Sequence, residues 1–240
     1  MRVAVLSDIH SNIVALDAVL SHAGDVDAIW HLGDVVGYGP EPDAVVARLS
    51  EREAIGVRGN HDAAAVGGPE IDWFNPEARA AAEWTRDTMT EDTRRWLAGL
   101  PETRVVADVL LVHGSPRDPL REYVTDSDAA EENMAVQGTQ RALHGHTHVP
   151  VAWLATPDRV TLVHARDTSE IELGAHRSLI NPGSVGQPRD GDPRAAYLLL
   201  DQEQGRVSWH RVEYDITRVQ TGMRAAGLPE RLATRLSFGL

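Results

Sequence analysis

Apolar residues fill RVAVLS (residues 2–7), break at SDIHSN, and return at Ile13, Leu16, Val19 and Leu20, the three-and-four spacing of one helical face. The first run reads as a buried strand and the stripe as a helix that Ser11 or Asn12 can cap. AIWHL (28–32), EPDAVVARLSER (41–52) and AIGVR (54–58) repeat the alternation as strand, helix, strand. Strands and helices in turn at this spacing are the pattern of a parallel α/β sheet.

The pattern changes over residues 63–102, where helical stripes predominate and Asn75 followed by Pro76 marks a helix start. This segment is predicted to be a helical, cap-like excursion from the sheet. From residue 103 short apolar runs take over: TRVVADVLLVHG, QRALHGH, VPVAWLA, RVTLVHA, RSLINPG, RAAYLLLD and RVSWHRV, separated by turn signals such as NPGS and DGDP. They predict a second, more antiparallel sheet packed on the first. DITRVQTGMRAAGLPERLATRL then predicts two short helices broken near Gly227 and Pro229. The expectation is one domain over residues 1–240, α/β in class (α+β by the segregation of its later strands), with two sheets face to face, helices outside, and functional residues on loops at strand ends.

Composition narrows the chemistry. The chain has 240 residues, 42% hydrophobic and 25% charged, without repeats or biased tracts, as a globular domain does. No apolar run approaches the ~20 residues that span a bilayer, and Met1 leads directly into a strand pattern, so a cytoplasmic protein without a membrane partner is expected. Cysteine is absent, which removes disulfides, thiolate ligands and cysteine nucleophiles. The 23 basic residues, all arginine, face 36 acidic ones for a net charge of −13, which disfavours stable binding to nucleic acid.

Five stretches place polar residues directly after apolar runs: LSDIHSN (6–12), HLGDVVGYGP (31–40), VRGNHDA (57–63), LLVHGSP (110–116) and LHGHTHVP (143–150). A buried strand ending in carboxylate or imidazole delivers that group to the sheet rim, where α/β proteins bind ligands. Each has an ordinary reading. Asp8 and His10 suit a cap and a surface histidine; Gly33 and Asp34 suit a turn; Asn60, His61 and Asp62 suit an Asx turn; His113 suits a satisfied strand end. Their coincidence, all drawn from oxygen and nitrogen ligands, points instead to a metal site. If His146 and His148 lie on a strand, their Cα atoms are ~6.5 to 7 Å apart on one face. Two metals ~3.5 to 4 Å apart then take one imidazole each. His144 lies too far along to join them and reads as a neighbour.

The order D-x-H, G-D, G-N-H-D, H and G-H-x-H resembles the calcineurin-like metallophosphoesterase superfamily, and GDVVGYGPEP with NPGSVGQPRDGDPRAAYLLLD resembles one of its bacterial branches. The motifs run from residue 6 to about 201. The resemblance implies a four-layer αββα sandwich. It also implies Asp8, His10 and His148 on one metal, Asn60, His113 and His146 on a second, and Asp34 bridging them. A sulfur-free set of this kind suits two divalent ions among manganese, iron, cobalt, nickel and zinc. The implied reaction is in-line attack on phosphorus by a hydroxide shared between the ions, with His61 protonating the leaving oxygen. Asp62 either orients His61 or caps the helix that follows.

Protein serine/threonine phosphatases of the superfamily read G-D-x-V-D-R-G, with that arginine on phosphate; here Tyr38 stands in its place. The reading this favours is a metal-dependent phosphoesterase acting on a small phosphorylated partner, a phosphodiester or a nucleotide whose base could stack. Arg58, Arg117 and Arg189 lie near motif loops and are candidate phosphate contacts, each with ordinary surface arginine as its alternative. Trp73 and Phe74 either cover the site or fill the excursion's own core. Asn181 to Gly186 reads as a turn serving the second sheet. The alternatives are a catalytically silent metal-binding scaffold for protein partners and a protein serine/threonine phosphatase.

Overall fold

The computed structural model describes residues 1–240. Its first half alternates β1 (Arg2–Leu6), α1 (Ile13–Ala23), β2 (Ala28–His31), α2 (Pro42–Glu51) and β3 (Ile55–Gly56). Helices α3 (Asn60–Ala65), α4 (Pro76–Thr88) and α5 (Glu91–Ala98) follow, with a 3-10 turn over Pro69–Trp73. Next come β4 (Thr103–Val106), β5 (Val109–Val112), α6 (Ser127–Val136), β6 (Arg141–Leu143), β7 (Val151–Ala155) and β8 (Val160–His164). The chain ends with β9 (Glu170–Glu172), β10 (Ser178–Asn181), β11 (Ala195–Asp201), β12 (Arg206–Val212), α7 (Ile216–Ala225) and α8 (Glu230–Arg235).

These strands form two mixed six-stranded sheets, in the orders β3-β2-β1-β11-β12-β9 and β4-β5-β6-β10-β7-β8. The alternation along each strand divides the layers. Val3 and Val5 of β1 meet Leu111, Leu143 and Ile180 of the other sheet in an apolar interlayer that also holds Trp30 and Trp209. Ala4 and Leu6, one position out of phase, pack outward against Leu16 and Val19 of α1 and Val45 and Leu49 of α2. On the far side Leu110, Ala142 and Leu179 pack against Ala130 and Met134 of α6. Helix, sheet, sheet, helix is the expected four-layer sandwich.

One expectation is corrected, and one strand forms that no pattern announced. Strands β11 and β12 belong to the first sheet: β11 runs antiparallel to β1, pairing Val3 with Leu200 and Val5 with Leu198. The run AAYLLLD is buried at six of its seven positions, as a central strand needs, and nothing local says which sheet it completes. Strand β9, an edge strand of only three residues, has no apolar run to betray it. Helix starts follow the sequence closely: Asn12 caps α1 by accepting from the N–H of Ala15 at 3.0 Å, and Asn75 caps α4 by accepting from that of Ala78 at 2.9 Å. The helical excursion joins the outer layers, with Met89 and Leu97 in the helix-side core and Ala78 and Ala81 against α7 and α8.

Candidate metal centre

β1, β2 and β3 are parallel in one sheet, and β5, β6 and β10 in the other. The loops that leave their C-terminal ends carry Asp8 and His10, Asp34, Asn60, His113, and His146 and His148. Main-chain bonds lock the loops together: the N–H groups of Asp8, His10 and Ser11 donate to the carbonyls of Gly33, Asp34 and Val35. The turn at 181–186 serves the site rather than the second sheet alone, since the N–H groups of Val185 and Gly186 donate to Ser7 and Asp8 and the Ser184 hydroxyl donates to the Asp8 carbonyl. Gly59 is required by close approach, because a Cβ there would stand 2.1 Å from Asp34 Oδ1.

The backbone of this region is strained. Seven of the eleven non-glycine residues with left-handed φ lie on the site loops: Asp8, His10, Ser11, Asp34, Tyr38, His146 and His148. Each such residue costs ~1–2 kcal/mol, and strain of this kind persists where surrounding structure over-determines it. It also corrects the reading of H-x-H as one face of a strand. β6 ends at Leu143, and φ values of 67° and 61° at His146 and His148 turn the two rings into different clusters. Ligand atoms of Asp8, His10, Asp34 and His148 lie within 4.8 Å of one another, as do those of Asp34, His113 and His146. One imidazole does go to each cluster, and Asp34 is shared.

The hydrogen bonds decide which ring nitrogens face the clusters. His10 Nδ1 donates to the Val36 carbonyl, His148 Nδ1 to that of Gln187, His113 Nδ1 to that of Leu32, and His146 Nε2 to that of Arg121. A carbonyl accepts only, so each bond sets the tautomer of its neutral ring and leaves the other nitrogen a bare lone pair. Those lone pairs converge. His10 Nε2 lies 3.2 Å from His148 Nε2, and His113 Nε2 lies 3.1 Å from His146 Nδ1 and 2.9 Å from Asn60 Oδ1.

The carboxylates repeat the arrangement. Asp34 Oδ1 accepts the His61 N–H while Oδ2 faces His113 at 3.3 Å and His10 at 3.7 Å. Asp8 Oδ2 accepts the His146 N–H while Oδ1 has no hydrogen-bond donor and faces His148 at 3.3 Å. In the first cluster the facing acceptors hold no proton between them and repel unless a cation joins them, and in the second a proton on His113 stands where a cation would, so the donor set fits divalent metal.

Charge follows the same geometry. Burial pushes the Asp34 carboxyl up, but His113 and His61 outweigh it and hold the acid well below the ordinary range; His148 and His113 do the same for Asp8. Burial pushes His113 down, yet the Asp34 carboxylate beside it raises the ring to about 9. Burial lowers His10 well below its usual value and takes His146 to about 3 and His61 to about 4.

His61 is buried beside the clusters, its ring 5.0 Å from that of His10, and its Nδ1 has no partner. Asp62 does not orient it. Its carboxylate accepts the main-chain N–H groups of Gly59 and Val36, binding the two loops together, and burial and the Asp34 charge push it up to about 7. Tyr38 is at the site, 4.7 Å from the His10 ring and 4.4 Å from that of His61.

Two of the candidate arginines are committed elsewhere: Arg58 pairs with Glu102 at 3.3 Å, and Arg117 pairs with Glu122 and Glu132. Glu102 and Glu132 sit forty-four and fifteen residues away in the chain, beyond the reach of local pattern. Arg189 is the arginine the site keeps. Its guanidinium lies 5.8 Å from the Tyr38 ring centre and donates to the neutral Oε1 of Gln187. Phe74 both fills a core and covers the site, packing on the cluster that holds Ala78 and Ala81 while lying 4.4 Å from the His61 ring, and Trp73 is half exposed at the rim. Tyr123, stacked on His146 at 3.8 Å, is a neighbour that sequence reasoning missed, having no motif around it. His144 is buried without a side-chain partner and belongs to neither cluster.

A model of the calcineurin-like phosphoesterase superfamily domain matches residues 1–205. The chain belongs to that superfamily. A crystal structure of a metallophosphoesterase from Sphaerobacter thermophilus is 44% identical, covers 100% of this chain and 99% of its own, and superposes with a TM-score of 0.91. An uncharacterized protein of Methanocaldococcus jannaschii is 34% identical over 99% of this chain and 98% of its own length. A hypothetical protein of Pyrococcus horikoshii, 23% identical, shares the fold over 100% of this chain and 98% of its own with a TM-score of 0.81. No helix in this superfamily member is long and apolar enough to cross a membrane.

Proposed function

We propose that the protein is a dinuclear metal-dependent phosphohydrolase acting on a phosphodiester or a small phosphomonoester. The observation that carries this is the convergence of imidazole nitrogens and carboxylate oxygens into two clusters that share Asp34. Asp8, His10 and His148 would hold one divalent cation, Asn60, His113 and His146 the second, and Asp34 both. Held there, such cations would supply Lewis-acid chemistry, making water a better nucleophile and offsetting charge on the phosphoryl oxygens. The sulfur-free donor set suits manganese, iron, cobalt, nickel or zinc.

The chain's own groups do the rest. Main-chain carbonyls of Val36, Gln187, Leu32 and Arg121 hold the four imidazoles in the one tautomer and rotation that present a lone pair. Asp62 secures the loops bearing Asp34 and Asn60. His61 stands where a leaving oxygen can take its proton, and a phosphate's negative charge favours the imidazolium that burial otherwise suppresses. Arg189 brings an uncommitted positive charge to the phosphate side of Tyr38. The assignment to the superfamily and the similarity to the Sphaerobacter metallophosphoesterase support the same reaction class.

The test is turnover of a chromogenic phosphomonoester and a chromogenic phosphodiester by the manganese-loaded protein, with a chelator control. Chelator-sensitive hydrolysis of either supports the proposal, and the ratio of rates separates the two substrate classes. A protein that holds two metals and hydrolyses neither is a scaffold.

A further inference from the structure

The metal centre opens on one side into a cavity of about 370 Å³ that shares Asn60 and His146 with it and is walled by Trp73, Phe74, Leu120 and Tyr123. Trp73 and Tyr123 are 49% and 51% exposed, two of only six large apolar side chains left open to solvent. Apolar rings are normally withdrawn from water, and a pair kept at the mouth of one cavity marks a surface held for a ligand. Their settings are built. The Tyr123 ring stacks on His146 with 25° between planes, and the Arg121 guanidinium lies 3.1 Å from the Trp73 ring centre. Arg121 also accepts the His146 Nε2 proton through its carbonyl at 3.2 Å, so one loop both orients a candidate ligand and supplies the cavity wall.

We propose that this cavity receives the nucleobase of a nucleotide substrate whose phosphate sits at the metal centre. The inference rests on the phosphoester reading above and names its substrate class. Anything esterified to a phosphate at Asn60 and His146 has this cavity as its adjoining space. Its walls are chiefly flat π surfaces with a guanidinium beside one of them, the surroundings that stack a heterocycle and tolerate its polar edge. A volume near the lower end of the ~300–1,000 Å³ range of small-molecule sites suits one nucleoside rather than an oligonucleotide. A net charge of −13 points the same way, since a longer polyanion would be repelled.

The deciding experiment is calorimetric binding of adenosine 5′-monophosphate and of ribose 5-phosphate, which share the sugar phosphate and carry at C1 the base or a hydroxyl respectively, to the manganese-loaded protein. The nucleotide is expected to bind about tenfold or more tighter, the scale of one stacked base. That ratio should collapse towards one in Trp73→Ala and in Tyr123→Leu, the second of which keeps apolar bulk and removes the π face. Equal affinities in the wild type, no binding of either probe, or a ratio that survives both substitutions would overturn the proposal. Failure of the hydrolase reading is separate. A protein that discriminates the base but hydrolyses no ester keeps the slot and loses the chemistry, and one that hydrolyses esters without a base ratio does the reverse.

Discussion

His10 and His148 present their Nε2 atoms to one another across 3.2 Å while the opposite nitrogen of each ring donates to a main-chain carbonyl. Two lone pairs held in this way are a local cost to the fold that a shared cation removes. Divalent metal should therefore stabilise the protein, by about 4 kcal/mol at a thousandfold excess over Kd for one site. Differential scanning calorimetry with manganese and then with excess chelator checks this. An unchanged Tm would sink the metal assignment.

Metal-free protein should be most stable near pH 6.5. His10, His31, His61, His144, His146 and His148 all have folded values below the usual one, so between about pH 4 and 6.5 the unfolded chain binds more protons and stability rises with pH. His113, raised to about 9, reverses the sign: its contribution is complete below about 6.5 and is lost as pH climbs through 9. Urea unfolding in chelator from pH 4 to 10 should trace that maximum. Because His113 must lose its proton to bind metal, manganese affinity should weaken on acidification.

Removing His61 should cost most where the leaving group needs a proton. For His61→Asn, kcat on alkyl phosphoesters should fall ~10²–10⁴-fold, the usual worth of general acid catalysis. Esters of p-nitrophenol, whose anion departs unaided, should lose far less. Equal losses on both, with metal content unchanged, would deny the ring its acid role.

Arg189→Met should raise KM for phosphoester substrates at least several-fold, because it removes a guanidinium near Tyr38 that no carboxylate neutralises. Arg58→Met and Arg117→Met should leave KM nearly unchanged, their charges being paired with Glu102, Glu122 and Glu132. Steady-state kinetics on the three variants rank them directly.

Ser11→Gly should stabilise the protein by about 1 kcal/mol. Ser11 has a φ of 52° and a buried hydroxyl without a partner, and glycine relieves both. A shift in the urea midpoint at constant m-value is the readout.

The candidate ligand residues were legible because each stands at a local signal, an apolar run ending abruptly in Asp8, Asp34, Asn60, His113 or His146, and a strand end is where a sheet opens to solvent. Helix starts at Asn12 and Asn75 were legible for the same reason, since a cap bonds three residues along its own chain. What only the tertiary structure decided are pairings between distant segments. These include the partnering of β1 with β11, nearly two hundred residues away, and the pairing of Arg58 with Glu102 and of Arg117 with Glu132 while Arg189 meets no carboxylate. They also include the four carbonyls that select the histidine tautomers, of which that for His113 lies 81 residues back along the chain. Spacing along a chain determines which side chains a strand end delivers; their protonation, orientation and charge partners are set by groups that meet them only when the two sheets close.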